Sequence, residues 1–135
     1  MVDATGFFAI LALYMARIYA NQRKSSLALR HHKDFLLTHL KIAPDSLRAS
    51  VVERFAPCGK AGCHCHQGGP KHGPYYFLTQ CLAVGKINKF QLKTLAQQQA
   101  AKVGVNHYRQ LLEQLEELSQ INAELLRRGE ALADE

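Results

Sequence analysis

Residues 57–76 read PCGKAGCHCHQGGPKHGPYY, and this stretch holds the most distinctive side chains of the chain. Three of the four cysteines fall within eight positions, and a histidine follows them: Cys58, Cys63, Cys65 and His72. Three thiolates and one imidazole complete the four-coordinate shell that structural zinc sites use. The intervening glycines and prolines disfavour a regular helix and let a short loop fold back around one ion. The spacing Cys-x4-Cys-x-Cys-x6-His therefore predicts a loop stapled by Zn²⁺.

The identity of the fourth ligand is open among four residues: His72, His66, His64 and Cys81. We favour His72, because Gly73-Pro74 can hold it against the strand that follows. His66 directly follows a cysteine ligand, which strains binding of one ion by both neighbours. Cys81 falls in the middle of a predicted strand, where a buried small apolar residue is the more common role.

Other roles of the cysteines compete with metal binding. Free thiols in a loop, or a redox pair of Cys58 and Cys63, are the alternatives that need no metal. An iron–sulfur cluster is disfavoured, because three cysteines leave one ligand to histidine.

The sequence contains no complete catalytic site. His-Glu-x-x-His, the phosphate-binding loop and the Gly-x-Ser-x-Gly elbow are all missing. Few acidic residues precede residue 113: Asp3, Asp34, Asp45 and Glu53. A closed four-ligand site would also leave zinc no position for a reactive water. We therefore expect a protein that is not an enzyme, with a thiol or metal enzyme using Cys63 or Cys65 as a third-ranked alternative.

Charge is distributed unevenly along the chain, whose formal net charge is +6. Residues 1–93 carry 13 Lys and Arg against 4 Asp and Glu, whereas residues 94–135 carry 4 against 7. A basic body followed by an acidic C-terminal segment favours a polyanion-binding surface next to a helix that contacts protein. A basic excess that is merely solvated is the alternative.

Two strands are predicted directly after the cysteine-rich loop. Tyr75 to Leu82 is aromatic and β-rich, Gly85-Lys86 is a turn signal, and Ile87 to Lys93 reads as the second strand of a hairpin. Phe90 and Leu92 should face a core, and the alternate residues should form a basic face. The candidate contacts to nucleic acid are Lys60, Lys71, Tyr75, Tyr76, Lys86, Lys89 and Lys93. At least one of the two tyrosines is expected to pack instead.

The N-terminal part is predicted to be helical. One helix should run from Thr5 to Lys24, and a second, capped by Ser25 or Ser26, from Leu27 to Lys41. The apolar run of the first helix is shorter than the roughly 18 to 20 residues that span a bilayer. We expect an amphipathic or buried helix, with a membrane-surface anchor or a disordered extension as alternatives.

A long helix should close the chain. Thr94-Leu95-Ala96-Gln97 matches a capping box, and the helix should continue to Arg128, with a kink at Gly104 where Asn106 recaps it. Its apolar positions follow heptad spacing: Tyr108, Leu111, Leu115, Leu118, Asn122 and Leu125. This seam predicts a homodimer with Asn122 at an a position. Packing of the same leucines against the chain's own N-terminal helices is the alternative.

The motifs together resemble a family of small uncharacterised bacterial and archaeal proteins, a domain of unknown function. The resemblance covers Leu47 to Arg128 and rests on Cys58-Gly59-Lys60, Cys63-His64-Cys65, His72-Gly73-Pro74-Tyr75-Tyr76, the Gly85-Lys86 turn and the closing helix. Members of the family are often encoded near mobile-element genes, which implies association with mobile DNA and a transposase-type partner. This chain departs from the family in the strand after Gly85-Lys86, which carries fewer arginines.

These observations predict an α+β fold with N-terminal helices, a zinc-stapled loop, a β-hairpin and a long C-terminal helix. We divide the chain into residues 1–46, 47–93 and 94–135. The predicted function is a cytoplasmic, zinc-binding accessory module for nucleic acid, DNA rather than RNA, and a protein-interaction or dimerisation adaptor is the alternative.

Overall fold

A computed structural model describes residues 4–133, and their side chains from residue 6 onward. The described residues form the predicted α+β fold. Its elements are α1 (Ala4–Arg23), α2 (Ser26–His39), β1 (Ser50–Ala56), β2 (His72–Ala83), β3 (Lys86–Leu92) and α3 (Leu95–Arg127), with one 3₁₀ turn at His64–His66. Among the described helices, none combines the length and apolar character needed to cross a bilayer.

The chain divides into two compact units. The first, which we call the sheet unit, is Ile42–Gln110, and it contains the three strands and the start of α3. The second, which we call the helical unit, joins the described residues up to Lys41 with those from Leu111 onward.

The sheet has three antiparallel strands in the order β1-β2-β3, one more than the predicted hairpin. β1 pairs along β2 with Val51 opposite Leu78 and Glu53 opposite Tyr76. The sequence prediction missed β1 because the adjacent charges Glu53 and Arg54 interrupt its apolar run. As an edge strand, β1 can carry charged side chains at little cost.

The core of the sheet unit lies between the sheet and the first turns of α3. Leu78, Leu92 and Ala101 are buried there, with Leu47, Ala49, Val51 and Tyr76 packed against them. Leu92 faces this core as predicted, whereas Phe90 remains 46% exposed. The predicted capping box starts α3: Thr94 Oγ1 accepts from the Gln97 N–H and Gln97 Oε1 accepts from the Thr94 N–H, both at 3.1 Å.

The recapping predicted at Gly104 and Asn106 is wrong, because α3 runs unbroken from Leu95 to Arg127. Gly104 instead permits close approach of the segment before β1. A Cβ atom at this position would lie 2.5 Å from the Asp45 carbonyl oxygen. The Leu47 N–H donates to the Gly104 carbonyl oxygen at 3.0 Å, so the two backbones are in direct contact.

The helical unit has its own small core of leucine and isoleucine side chains: Leu29, Leu36, Ile121 and Leu125, with Leu118 against them. Ser25 caps α2 as predicted, and its side chain accepts from the Ala28 N–H at 3.1 Å. Helix α1 was expected to be amphipathic or buried, and the buried option is wrong: Phe8 is 68% exposed and most of the other large apolar side chains of α1 are exposed too.

Charged groups support the end of α3. Glu124 is 6% exposed and accepts from both Arg127 and Arg128 at 2.7 Å. Arg128 also donates to the backbone carbonyl oxygens of Asn21, Gln22 and Lys24, at and just beyond the C-terminal end of α1. These two arginines hold the pKa of Glu124 well below its usual range, at about 2.

Candidate metal centre and sheet surface

The cysteine-rich loop is anchored at both ends by the pairing of β1 with β2. Ala56, the last residue of β1, lies opposite His72, the first residue of β2. Cys58 follows β1 by two positions, so this pairing brings the first and last candidate ligands to the same end of the sheet. Within the loop, the Cys63 N–H donates to the Lys60 carbonyl at 3.0 Å and the backbone turns back on itself.

The loop brings together the four predicted ligands, Cys58, Cys63, Cys65 and His72, whose ligand atoms all lie within 4.8 Å of one another. The Sγ atoms of Cys58 and Cys65 are 3.5 Å apart. The Cys63 Sγ atom lies 3.2 Å from the His72 Nε2 atom. Two thiolates on one tetrahedral zinc ion are about 3.8 Å apart, so these side chains could bind a metal ion with small adjustments.

The pKa shifts of Cys63 and Cys65 are both compatible with metal binding, for different reasons. The backbone N–H of Cys65 and then the His72 imidazole lower the pKa of Cys63 to about 6. Burial raises the pKa of Cys65, the most enclosed of the three cysteines in this cluster. A buried thiolate needs a compensating charge, and a divalent cation among these ligands would supply it.

The other candidates for the fourth ligand have different places. His66 Nε2 lies 2.6 Å from the Cys58 carbonyl oxygen, so its ring supports the loop backbone. His64 is exposed, with Nδ1 3.7 Å from Cys63 Sγ. Cys81 is exposed near the far end of β2, opposite Ile87.

Gly73 fixes the approach of His72 to the sheet. Its φ angle of +144° is one that side-chain-bearing residues rarely adopt. A Cβ atom there would also lie 2.9 Å from the Arg54 carbonyl oxygen. Glycine therefore lets β2 continue directly after His72, its first residue, while β1 passes beside it.

The face of the sheet opposite α3 carries aromatic and basic side chains. Strand alternation places Arg54 opposite Tyr75, and Val52 opposite Phe77, on this side. Lys89 of β3 lies over the Phe77 ring, with Nζ 5.0 Å from its centroid. Arg54 and Lys89 are exposed, and Tyr75 and Phe77 are half-buried. We call these side chains the open face.

The residues predicted to contact nucleic acid fall in different places. Tyr75 and Lys89 belong to the open face, whereas Tyr76 faces α3, with Lys102 Nζ 4.8 Å from its ring centroid. The remaining lysines are exposed in the loop, at the β2–β3 turn and after β3: Lys60, Lys71, Lys86 and Lys93. Sequence reasoning missed Arg54 and Phe77. Arg54 lies on the unrecognised strand β1, whereas Phe77 lies two positions after Tyr75 on the predicted strand, so strand alternation could have found it.

The heptad positions of α3 are divided between the core and the surface. Leu125 is fully buried and Leu118 packs beside it, so both have partners within the helical unit, as the alternative interpretation expected. Leu115 is 43% exposed, and Tyr108 and Leu111 are half-buried. The Oδ1 atom of Asn122 is buried without a hydrogen-bond partner among the described residues. The homodimer remains a prediction.

Comparison with known proteins finds one family. Residues 36–80 match a family described as a domain of unknown function, DUF6788. The matched segment runs from the end of α2 through most of β2 and includes all four candidate ligands. Neither the curated proteins nor the solved structures give a match.

Proposed function

We propose that the protein is a zinc-stabilised module that binds single-stranded DNA across the open face of its sheet and does no chemistry on it. The observation that carries the proposal is the arrangement of Tyr75, Phe77, Arg54 and Lys89 beside the candidate metal centre. Stacking of bases on aromatic rings, combined with cations along the backbone, is the usual basis of single-strand binding.

Zinc is the metal that we propose for the centre. Three thiolates and one imidazole form a soft, tetrahedral donor set, which favours zinc over hard cations such as Mg²⁺ and Ca²⁺. Four protein ligands would close the coordination shell and leave no open position for water, which supports a structural role. The metal would hold the loop in place and so fix the starts of β2 and of the open face.

On the open face, aromatic rings and basic side chains lie next to one another. Phe77 and Tyr75 are two positions apart on β2, so both rings lie on the same side of the sheet. Arg54 lies across from Tyr75, and Lys89 lies over Phe77. A strand running across β2 would therefore meet a ring and a cation at each of two successive positions.

The test is binding of a labelled single-stranded oligonucleotide to the zinc-loaded protein over a series of salt concentrations. We expect an affinity that falls with salt, because each neutralised phosphate releases a counterion. Phe77→Ala should weaken binding about tenfold or more, as loss of a stacking ring does. Lys89→Ala should weaken it and reduce the salt slope by about one. Lys41→Ala, at an exposed lysine of the other unit, is the matched control.

Absence of binding at low salt, or equal losses in Lys89→Ala and Lys41→Ala, would reject the proposal. Association with mobile DNA and a transposase-type partner belongs to the same proposal and is supported by the sequence resemblance alone. If the protein were instead a thiol enzyme, Cys63 or Cys65 of the zinc-loaded protein would react rapidly with an alkylating reagent.

A second proposal is self-association through α3, which would make the protein an adaptor. It is favoured by Leu112 and Leu115, which are 51% and 43% exposed on the part of α3 within the helical unit. Leu115→Asp should then lower the mass measured by sedimentation while the metal content stays unchanged. A monomeric mass for both the wild type and the variant would reject self-association.

A further inference from the structure

A separate cavity lies on the other side of the sheet, between β1, β2 and α3. It has a volume of about 470 Å³, within the range of small-molecule sites. Glu53 of β1 and Tyr76 of β2, which are paired across the strands, line one side. Lys102, Asn106 and Arg109 of α3 line the other. All of these residues belong to the sheet unit.

The three α3 residues are spaced so that they share one face of the helix. Positions 102, 106 and 109 are separated by four and three residues, the spacing that stacks side chains along one side. Lys102 and Arg109 thus line this side of the cavity with two positive charges, two helical turns apart, and Asn106 lies between them on the helix. Across from them stands the carboxylate of Glu53.

These polar groups are not used by the fold. Within residues 6–133, no ion pair engages Glu53, Lys102 or Arg109. The Asn106 amide and the Tyr76 hydroxyl likewise have no hydrogen-bond partner there, and Lys102 is held only by its contact with the Tyr76 ring. The neighbouring His107, also on α3, does have a partner: the His107 Nδ1 atom lies 2.7 Å from an Asp45 carboxylate oxygen.

We infer that this cavity, which we call the base pocket, accepts one nucleotide of a bound DNA strand and favours bases that carry an exocyclic amino group. The inference rests on the proposed DNA binding and names its specificity site. Lys102 and Arg109 would hold phosphates, and Val51 and Tyr76 offer an apolar and aromatic surface to the base. Glu53 and Asn106 would read its edge.

The charge pattern decides between ligands. A simple inorganic anion could pair with Lys102 and Arg109 but would leave Glu53 without a partner, so two cations facing one carboxylate suit a ligand with both an anionic and a hydrogen-donating end. A carboxylate accepts from the amino group of cytosine, adenine or guanine. Thymine presents carbonyl oxygens at the equivalent positions and should bind more weakly.

The edge strand connects the pocket to the open face. Glu53 and Arg54 are consecutive residues of β1, so one lines the pocket while the other belongs to the open face. β1 is an outer strand of the sheet. A DNA strand that passes around this edge can therefore place one base in the pocket while its neighbours stack on the open face.

The experiment compares binding of labelled deoxycytidine, deoxyadenosine and thymidine homopolymers of equal length to the zinc-loaded protein. We expect the cytosine and adenine strands to bind about tenfold more tightly than the thymine strand. Glu53→Ala should remove this preference. Glu113→Ala, which removes the same charge from an exposed position of α3, should leave it intact.

Two further variants test the roles of the α3 residues. Asn106→Ala, a change that favours helix and should not disturb folding, should reduce the preference in the same way. Arg109→Ala should weaken all three strands by a similar factor, because a phosphate contact carries no base information.

Equal affinity for the three strands, or a preference that survives Glu53→Ala and Asn106→Ala, would overturn the base pocket while leaving DNA binding in place. Failure of every strand to bind would overturn the DNA-binding proposal and the base pocket with it. If Phe77→Ala binds all strands more weakly but keeps the base preference, the result supports both proposals: the open face supplies affinity and the base pocket supplies specificity.

Discussion

The Cys63 sulfur lies 3.2 Å from the His72 Nε2 atom, which joins the middle of the cysteine-rich loop to the first residue of β2. Around this contact the loop has local hydrogen bonds but little buried side-chain surface. Cys65 is its only buried residue among positions 57–71. A loop of this length without an apolar core is one that a bound metal ion would stabilise, as in small metal-stapled folds.

The first prediction concerns metal content. Protein purified without added metal should contain one zinc per chain, and Cys63→Ser should lose it because the remaining three ligands bind far more weakly. The variant should also melt at a lower temperature. Cys81→Ser is the matched control, since Cys81 is exposed near the far end of β2. Elemental analysis and circular dichroism provide the two measurements.

A folded wild-type protein without metal, with four thiols that react freely, would contradict the zinc proposal. Equal metal loss in Cys63→Ser and Cys81→Ser would show that Cys81 matters to the metal site as much as Cys63 does, and would contradict the proposed ligand set.

The second prediction concerns the close contact at Gly104. Replacing glycine with alanine inside a helix normally stabilises it by about 1 kcal/mol. Here the added Cβ atom would lie 2.5 Å from the Asp45 carbonyl oxygen and 3.2 Å from the Leu47 Cβ atom. We expect the clash to dominate and Gly104→Ala to destabilise the protein by about 1–3 kcal/mol.

Urea denaturation of the zinc-loaded protein measures this change. Gly59→Ala is the control, because a Cβ atom there would meet nothing within 4 Å. Stabilisation by Gly104→Ala would show that the segment before β1 can move away from α3 at no cost.

Local chemistry in the sequence was enough to predict several features. The clustering of the four candidate ligands was predictable because thiolates and imidazole at close spacing are the donor set of structural zinc sites. The capping box at Thr94 and Gln97 was predictable because both partners lie within one helical turn. Interactions of this kind depend on residues that are neighbours in the sequence.

Features that depend on distant contacts were missed. β1 contains Glu53 and Arg54, whose tolerance depends on an edge position that the sequence does not reveal. Gly104 looked like a helix break because its contact, Asp45, is far away in the sequence. The heptad pattern of α3 was compatible with either a partner chain or the chain's own helices, and periodicity alone does not distinguish them.

The third prediction concerns the start of α3. Thr94→Ala removes the hydroxyl that accepts from the Gln97 N–H, and loss of such a cap costs about 1 kcal/mol. Thr94→Ser keeps the hydroxyl and should cost much less. Denaturation midpoints of the two variants measure the difference, and equal losses would assign the effect to the methyl group instead.

The fourth prediction compares adjacent leucines of α3. Leu125 is fully buried, whereas Leu126 is 63% exposed. Leu125→Ala should destabilise the protein by about 2–5 kcal/mol because it leaves a cavity in the core of the helical unit. Leu126→Ala should change stability by at most about 0.5 kcal/mol. Equal costs would show that Leu126 is covered in solution, which would indicate a contact on a face of α3 outside the predicted heptad seam.

The fifth prediction concerns acid stability and Glu124. Hydrogen bonds from Arg127 and Arg128 lower its pKa to about 2, below the value of about 4.3 usual for glutamate. A depressed pKa in the folded state stabilises the protein fully above the unfolded pKa. This stabilisation is lost as the pH falls from about 4.3 through about 2. Glu124→Gln should therefore lower the denaturation midpoint at neutral pH, because both arginines lose their charged partner.

The difference between wild type and Glu124→Gln should shrink steadily across that acidic range, and other acid effects cancel because both proteins share them. Urea titrations at a series of pH values measure it. Glu113→Gln controls for loss of one charge, since Glu113 is exposed and has no ion pair among the described residues. A difference that stays constant down to about pH 2 would mean that the two arginines do not depend on the charge of Glu124.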